Sequence, residues 1–242
     1  MRKAISRRQA ISRSIFTASV FTTPGLFAEQ LETAQMVEGP FYPDQYPLDT
    51  DNDLLILNDS ITPAVGVITH VSGQVFSKSG LAVENATVEI WQVDNNGIYF
   101  HSGDKRVAQR DQNFQSYGRF LTDSQGRYYF RTIPPGPYVM GRGARAPHIH
   151  FGVSLRGKRI FTTQLHIKGH PDNSEDFLLR RIKDPKARET VQAEFKPVPD
   201  SKLGELAVHF DIWMGHTVQE MDDGTLQGLG AEVSDELSSP DP

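Results

Sequence analysis

From Val65 onward the chain alternates apolar and polar positions in short runs. VGVITHVSGQVF, ATVEIWQV, RYYFRTI, HIHFGVSL, RIFTTQLHI, VQAEFKPV and ELAVHFDIWM are rich in β-branched and aromatic residues. A period of two puts successive side chains on opposite faces of a strand. Turn residues separate the runs at Lys78-Ser79-Gly80, Asp94-Asn95-Asn96-Gly97, Asp123-Ser124-Gln125-Gly126 and Arg156-Gly157-Lys158. About seven short strands spaced in this way predict an all-β fold, a single β-sandwich domain over residues 65–217 with little helix. The longest helix-like stretch, Asp176 to Arg188, is short. Residues 100–120 follow neither period and read as one long loop, a feature that more often serves function than not.

The flanks have other textures. Residues 29–64 are dense in Pro, Asp and Asn but also carry Phe41, Tyr42, Tyr46, Leu54, Leu55, Ile56 and Leu57. They are expected to form an extended arm packed on the domain. Residues 1–28 hold Arg2, Lys3, Arg7, Arg8 and Arg13 and no acid, then an apolar stretch from Ile15 to Phe27. That order, with Ser6-Arg7-Arg8-Gln9-Ala10-Ile11, resembles a twin-arginine export signal and predicts a periplasmic or secreted protein, the alternative being a cytoplasmic one with a basic tail. Residues 218–242 are rich in acid, Gly, Ser and Pro, and are expected to be disordered.

Composition removes several kinds of chemistry. The 242 residues include no cysteine, so disulfides, thiolate metal sites, iron–sulfur clusters and cysteine nucleophiles are all excluded. A transition metal would have to be held by His, Asp, Glu or Tyr. The formal charge of −5 gives no reason to expect nucleic acid, and no apolar run reaches the roughly 18 residues of a membrane span.

The stretch richest in chemistry is PGPYVMGRGARAPHIHFGV, Pro135 to Val153. In a strand His148 and His150 share one face, while Ile149 and Phe151 share the other. Such a pair by itself is often solvated or hydrogen-bonded. With Tyr138 brought in by a Gly/Pro-rich loop, it is also compatible with a metal site.

Three segments in this order, ATVEIWQVDNNGIYFHSGD, YGRFLTDSQGRYYFRTIPPGPY and RAPHIHF, together resemble the intradiol ring-cleavage dioxygenases, most nearly the protocatechuate 3,4-dioxygenase-like members. The resemblance covers roughly residues 37–170. It implies one non-haem Fe(3+) per chain, held by Tyr99, Tyr138, His148 and His150. It implies charge-stabilising roles for Arg145 and Gln164, and a general-base role for Tyr138, which would leave the metal as substrate binds. The implied substrates are a small aromatic diol and O2. The implied reaction opens the ring between the two hydroxylated carbons and gives a cis,cis-muconate-type product. The donor types suit that ion: ferric iron carries three positive charges, which two phenolates and a hydroxide would balance, and a neutral site is cheaper to bury than a charged one.

VEGPFYP, from Val37 to Pro43, resembles the family segment that folds over the substrate pocket, so Gly39, Pro40, Phe41 and Tyr42 are expected there. His101, close to Tyr99, is expected to line the same pocket. Met140 is also expected there, at a position where relatives specific for protocatechuate often carry Trp, and this leaves the diol open. The other histidines, His70, His166, His170, His209 and His216, are read as surface or hydrogen-bonded residues, and Trp91 as core. A homo-oligomer is compatible with the resemblance. The rival function is an exported β-sandwich binding module or metal-binding protein without dioxygenase activity. A cupin-type metalloenzyme is disfavoured, because Gly152, Val153 and Ser154 stand where a glutamate would be wanted.

Overall fold

The alternating runs build two five-stranded sheets packed face to face. The structure, a computed structural model, describes residues 31–57, 62–140, 143–216, 219–220 and 226–227. The first sheet is centred on β1 (Thr69–Phe76). Antiparallel β4 (Arg127–Thr132) lies on one side of it. On the other side lie β11 (Leu206–His209) and then β12 (Ile212–Trp213), both parallel to it, with β10 (Lys196–Pro197) beyond β11. Where the chain passes from β11 to β12 it presses on β1, and a Cβ on Gly73 would stand 1.9 Å from the Phe210 carbonyl oxygen.

The second sheet has the order β3 (Tyr117–Leu121), β2 (Thr87–Trp91), β7 (His148–Leu155), β8 (Lys158–Ile167) and β9 (Gln192–Ala193). Val71, Val75, Phe130, Val208 and Ile212 from the first sheet meet Val88, Ile90, Ile149, Phe151, Val153 and Leu165 from the second. Each such side chain contributes about 1.5–3 kcal/mol by leaving water, which fixes the register of the strands. With Ile149, Phe151 and Val153 turned inward, His148, His150 and Gly152 must face outward. Strand pairing then aligns Tyr117, Trp91, His150 and Gln164 across four neighbouring strands. This row is the floor of the site.

The arm crosses that outer face. Thr33 N donates to Trp213 O at 2.9 Å and Met36 N to Thr162 O at 3.0 Å, while Leu54 and Leu55 sink into the core. A small hairpin, β5 (Tyr138–Met140) with β6 (Gly143–Arg145), stands beside the sheet.

Two local expectations change. The helix-like stretch yields only a turn at Leu179–Arg181 and α1 (Pro185–Glu189). Asp184 caps α1 and Pro185 starts it, so no helix runs through from Asp176. The expected loop at 100–120 ends early, because Tyr117–Leu121 pairs with β2 as a strand. Residues 1–28, with the export-signal motif, lie outside the described residues. So does most of the acidic tail, within which β13 (Gln219–Glu220) pairs with β14 (Leu226–Gln227). Among the described residues no helix is long and apolar enough to cross a membrane.

Candidate metal centre and active site

Four donor atoms from three parts of the chain meet above the outer face of the second sheet. Tyr99 Oη lies 2.9 Å from His150 Nε2 and 3.3 Å from Tyr138 Oη. His148 Nε2 lies 3.2 Å from His150 Nε2 and 3.5 Å from Tyr138 Oη. All four residues are buried. The histidines come from β7, one step of the pleat apart. Trp91 lies flat against His150, ring centroids 4.8 Å apart and planes 11° apart, and holds that imidazole edge-on to the centre.

The tyrosines come from loops. Tyr99 follows the turn at Asp94–Gly97. Asp94 is fully buried; its Oδ1 accepts from Asn96 N and Ile98 N, and its Oδ2 from Asp111 N. Tyr99 N itself donates to Asp104 Oδ2 at 3.1 Å. Tyr138 opens the small hairpin, paired with Arg145 across three rungs. The two loops touch at Gly97 (φ 72°), where a Cβ would stand 2.4 Å from Pro137 O.

The protonation pattern suits a cation. Burial pushes both imidazoles well below their usual pKa, so both are neutral. His148 Nδ1 is 2.6 Å from Ala146 O, and a carbonyl only accepts; the proton is therefore on Nδ1, and Nε2 presents a lone pair to the centre. Burial raises both phenols, Tyr99 strongly. Arg145 opposes that rise at Tyr138. Ionising them here requires a strong positive charge beside them. Two atoms that each bond an ion at about 2.1 Å, roughly at right angles, stand about 3 Å apart, which is the spacing found. Imidazole with phenol oxygen is a donor set for iron. The residues present fit a bound ferric ion.

Arg145, buried on the hairpin, donates from Nη1 to Tyr138 Oη at 3.4 Å and from Nη2 to Gln164 Oε1 at 2.6 Å. Gln164 Nε2 in turn donates to Val37 O of the arm at 3.0 Å. Of the expected pocket residues, Phe41 stacks on Tyr99 at 4.7 Å between centroids, and a Cβ on Gly39 would lie 3.5 Å from His150 Cε1. Pro40 between them is exposed. His101 stands edge-on to Phe41 and 3.8 Å from Asp44. Tyr42 packs against the aromatic cluster of Trp91, Tyr99, Tyr117 and Tyr138, edge-on to Trp91, and its hydroxyl donates to Glu89 Oε1 at 2.9 Å. For Met140 only the strand position is described.

Three residues carry more of the site than their sequence context suggests. Trp91, read as core, is a wall of the centre. Glu89 is buried and accepts from Tyr42, Tyr117 and Arg159, which ties the arm to the sheet. Its only signal was a charge inside a strand of hydrophobic residues. His166, read as a surface or hydrogen-bonded residue, is fully buried and stacks on His148 at 5.3 Å, because it shares the outer face with Gln164. Of the remaining histidines, His70 hydrogen-bonds Tyr129, His170 accepts from Asp172 N, and His209 pairs with Asp211.

His148, His166 and Asp176 also bring ligating atoms within 4.8 Å of one another. They make a poor cation site, since four N–H groups, one of them from the Arg145 cation, already occupy the oxygens of Asp176.

The chain is similar to proteins of known families. A family model described as Dioxygenase matches residues 37–215. The chain is 35% identical over 147 residues to the protocatechuate 3,4-dioxygenase beta chain of Burkholderia cepacia, covering 59% of this chain and 62% of that one. It is 29% identical over 232 residues to catechol 1,2-dioxygenase 1 of Acinetobacter lwoffii, covering 86% and 70%. The chain spans roughly half to two thirds of the length of several curated relatives it matches. Among solved structures, it is similar to the dioxygenase domain of a dioxygenase–carbohydrate-binding protein fusion from Streptomyces sp. SirexAA-E. There the TM-score is 0.54 and the identity 27%, covering 76% of this chain and 97% of that one. It is also similar to catechol 1,2-dioxygenase from Acinetobacter sp. ADP1, with TM-score 0.58 and 25% identity, covering 78% and 64%. A family match over most of the folded chain, on a sandwich that gathers two tyrosines and two histidines, identifies the protein as a member of the intradiol ring-cleavage dioxygenase family.

Proposed function

We propose that the protein is a non-haem ferric-iron dioxygenase that cleaves a catechol-type ring between its two hydroxylated carbons, placing both atoms of O2 in a cis,cis-muconate-type diacid. The observation that carries this reading is the closed ring of four donor atoms, two phenol oxygens and two imidazole nitrogens, each within 3.5 Å of its neighbours. When bound, ferric iron supplies the charge that lets the two phenols ionise and a centre through which a catecholate becomes reactive toward O2.

The remaining work falls to side chains. His148 and His150, neutral and fixed on a strand, keep their lone pairs aimed inward. Tyr138 Oη takes up one proton of the incoming diol, which is general-base work. Arg145 Nη1, 3.4 Å from that oxygen, keeps a fixed positive charge beside both the phenol and the substrate's developing negative charge. Gln164 acts through Arg145, since both ends of its amide are engaged, one by the guanidinium and the other by the arm. Phe41 and Trp91 keep the centre apolar on its flanks.

The test is oxygen uptake by iron-loaded protein with catechol, protocatechuate, hydroxyquinol and their substituted analogues, with the product identified. The expected result is one O2 consumed per ring opened, by a red-brown protein. A protein that stays colourless after iron reconstitution, and consumes no O2 with any of them, is a binding module and not this enzyme. Export by the twin-arginine route belongs to the same proposal, resting on Arg7 and Arg8; Arg7→Lys with Arg8→Lys should leave the protein in the cytoplasm.

A further inference from the structure

Arg145 is 2% exposed and keeps its charge, because a guanidinium does not lose its proton inside a protein. A buried charge must be paired. Among the described residues the carboxylate that reaches it is Asp176, itself 0% exposed, with Oδ2 2.9 Å from Arg145 Nε. The same oxygen accepts from Ala146 N at 2.9 Å. Oδ1 accepts from Leu178 N at 3.0 Å and Leu179 N at 2.9 Å. The carboxylate is therefore saturated and locked to its own turn, and it grips Arg145 at the side chain and at the next peptide. Gln164 Oε1 takes Nη2 on the other edge of the guanidinium. The Phe177 ring lies 5.3 Å from the guanidinium carbon.

A planar group held at Nε and at Nη2 has no freedom to turn. Its Nη1 then faces Tyr138 Oη. We propose that Asp176 is a positioning residue for the reaction: through its bonds to Nε and to Ala146 N it sets the direction in which Arg145 presents its remaining N–H groups to Tyr138 and to the bound diol. This rests on the dioxygenase reading. It adds a residue nine positions past the end of β8, in a turn that supplies none of the four donor atoms. Asp176 acts through Arg145, and its removal leaves a buried arginine free to tilt.

The test is a double-substitution cycle on the full chain. In iron-loaded protein, Asp176→Asn keeps Oδ1 for the Leu178 and Leu179 amides. It should retain the iron and the visible band, leave KM nearly unchanged and lower kcat about 100-fold, the scale of a 1 Å misplacement. The same substitution in an Arg145→Gln background should change kcat by no more than about 2-fold, as expected when its effect runs through the arginine. A readout free of iron and turnover comes from metal-free protein: Asp176→Asn should lower the melting temperature more in the Arg145 background than in the Arg145→Gln background. If Asp176→Asn alone fails to fold, the Arg145→Gln, Asp176→Asn pair should fold, and equal failure of both overturns the proposal. So do equal losses of kcat in the two backgrounds, or full turnover by Asp176→Asn. A parent protein that neither binds ferric iron nor cleaves a catechol fails the dioxygenase reading instead, and the metal-free cycle still decides whether Asp176 holds Arg145.

Discussion

The two tyrosines at the centre have the same side chain and stand 3.3 Å apart, but they are held differently. Tyr99 rests on two buried carboxylates: Asp94 ties the turn before it and Asp104 takes its own amide. Tyr138 sits at the end of a three-rung hairpin whose Val139 is 77% exposed. Within the hairpin it meets Arg145, and beyond it the Tyr99 hydroxyl, His148 and the edge of the Gly97 turn. Burial raises both phenols, but the neighbouring Arg145 opposes it at Tyr138 more than any other group does. An enzyme that keeps one phenolate and releases the other as a diol arrives needs one rigid tether and one light one. On the proposed function, that difference suits Tyr99 to stay and Tyr138 to leave as the diol binds.

That contrast can be broken by substitution. Tyr99→Phe should lose nearly all bound iron and lower turnover by about 10³-fold or more, whereas Tyr138→Phe should keep most of the iron and lower turnover about 10–100-fold, the range of a lost general base; iron content per chain and oxygen uptake separate them. Next in size, Arg145→Ala should keep the iron and slow turnover about 100-fold, as removal of one charge-stabilising group does; a normal rate would show that its charge is not used. Gly97→Ala tests the seam between the loops. A methyl group there meets Pro137 O in a left-handed turn, so the substitution should cost about 1–3 kcal/mol of stability and shift the visible band by moving Tyr138, not Tyr99. The smallest signal is in protons. Both phenols are raised above their ordinary pKa and hold their protons past neutral pH in metal-free protein, so ferric binding should release about one proton from each phenol, besides any from bound water, and iron affinity should fall as pH is lowered. Proton release measured in weak buffer checks it: Tyr99→Phe and Tyr138→Phe should each release about one proton fewer per bound iron than the unaltered chain, and an unchanged release in Tyr138→Phe would remove Tyr138 from the donor set.

The strands that carry the histidines were legible because their alternation is strict. HIHFGVSL and RIFTTQLHI predict β7 and β8, and the inward Ile149 and Phe151 dictate the outward pair. β3 was not legible: with glycine at its second position its alternation is too short to separate from the loop before it. The positions of the four donors were readable from motif resemblance, yet their convergence depends on loops whose path is set by buried aspartates in irregular backbone. Asp94, Asp104 and Asp176 look like ordinary turn residues in the sequence, because no period marks a carboxylate that folds back onto amides. Tyr42 was expected at the pocket from the resemblance of VEGPFYP to the family segment; it packs against the aromatic cluster that holds Tyr99 and Tyr138, and its hydroxyl bonds Glu89, a partner that no motif marked. His166 went unrecognised as buried because its partner across the strands, His148, is not its neighbour in sequence.

The most direct test of the account is a titration of metal-free protein with ferric iron, followed by visible absorption, for the unaltered chain beside Tyr99→Phe and Tyr138→Phe. The account predicts one equivalent of iron and a broad tyrosinate band in the unaltered chain, a weaker band with iron retained in Tyr138→Phe, and loss of both in Tyr99→Phe. Equal bands and equal iron in all three proteins would contradict it.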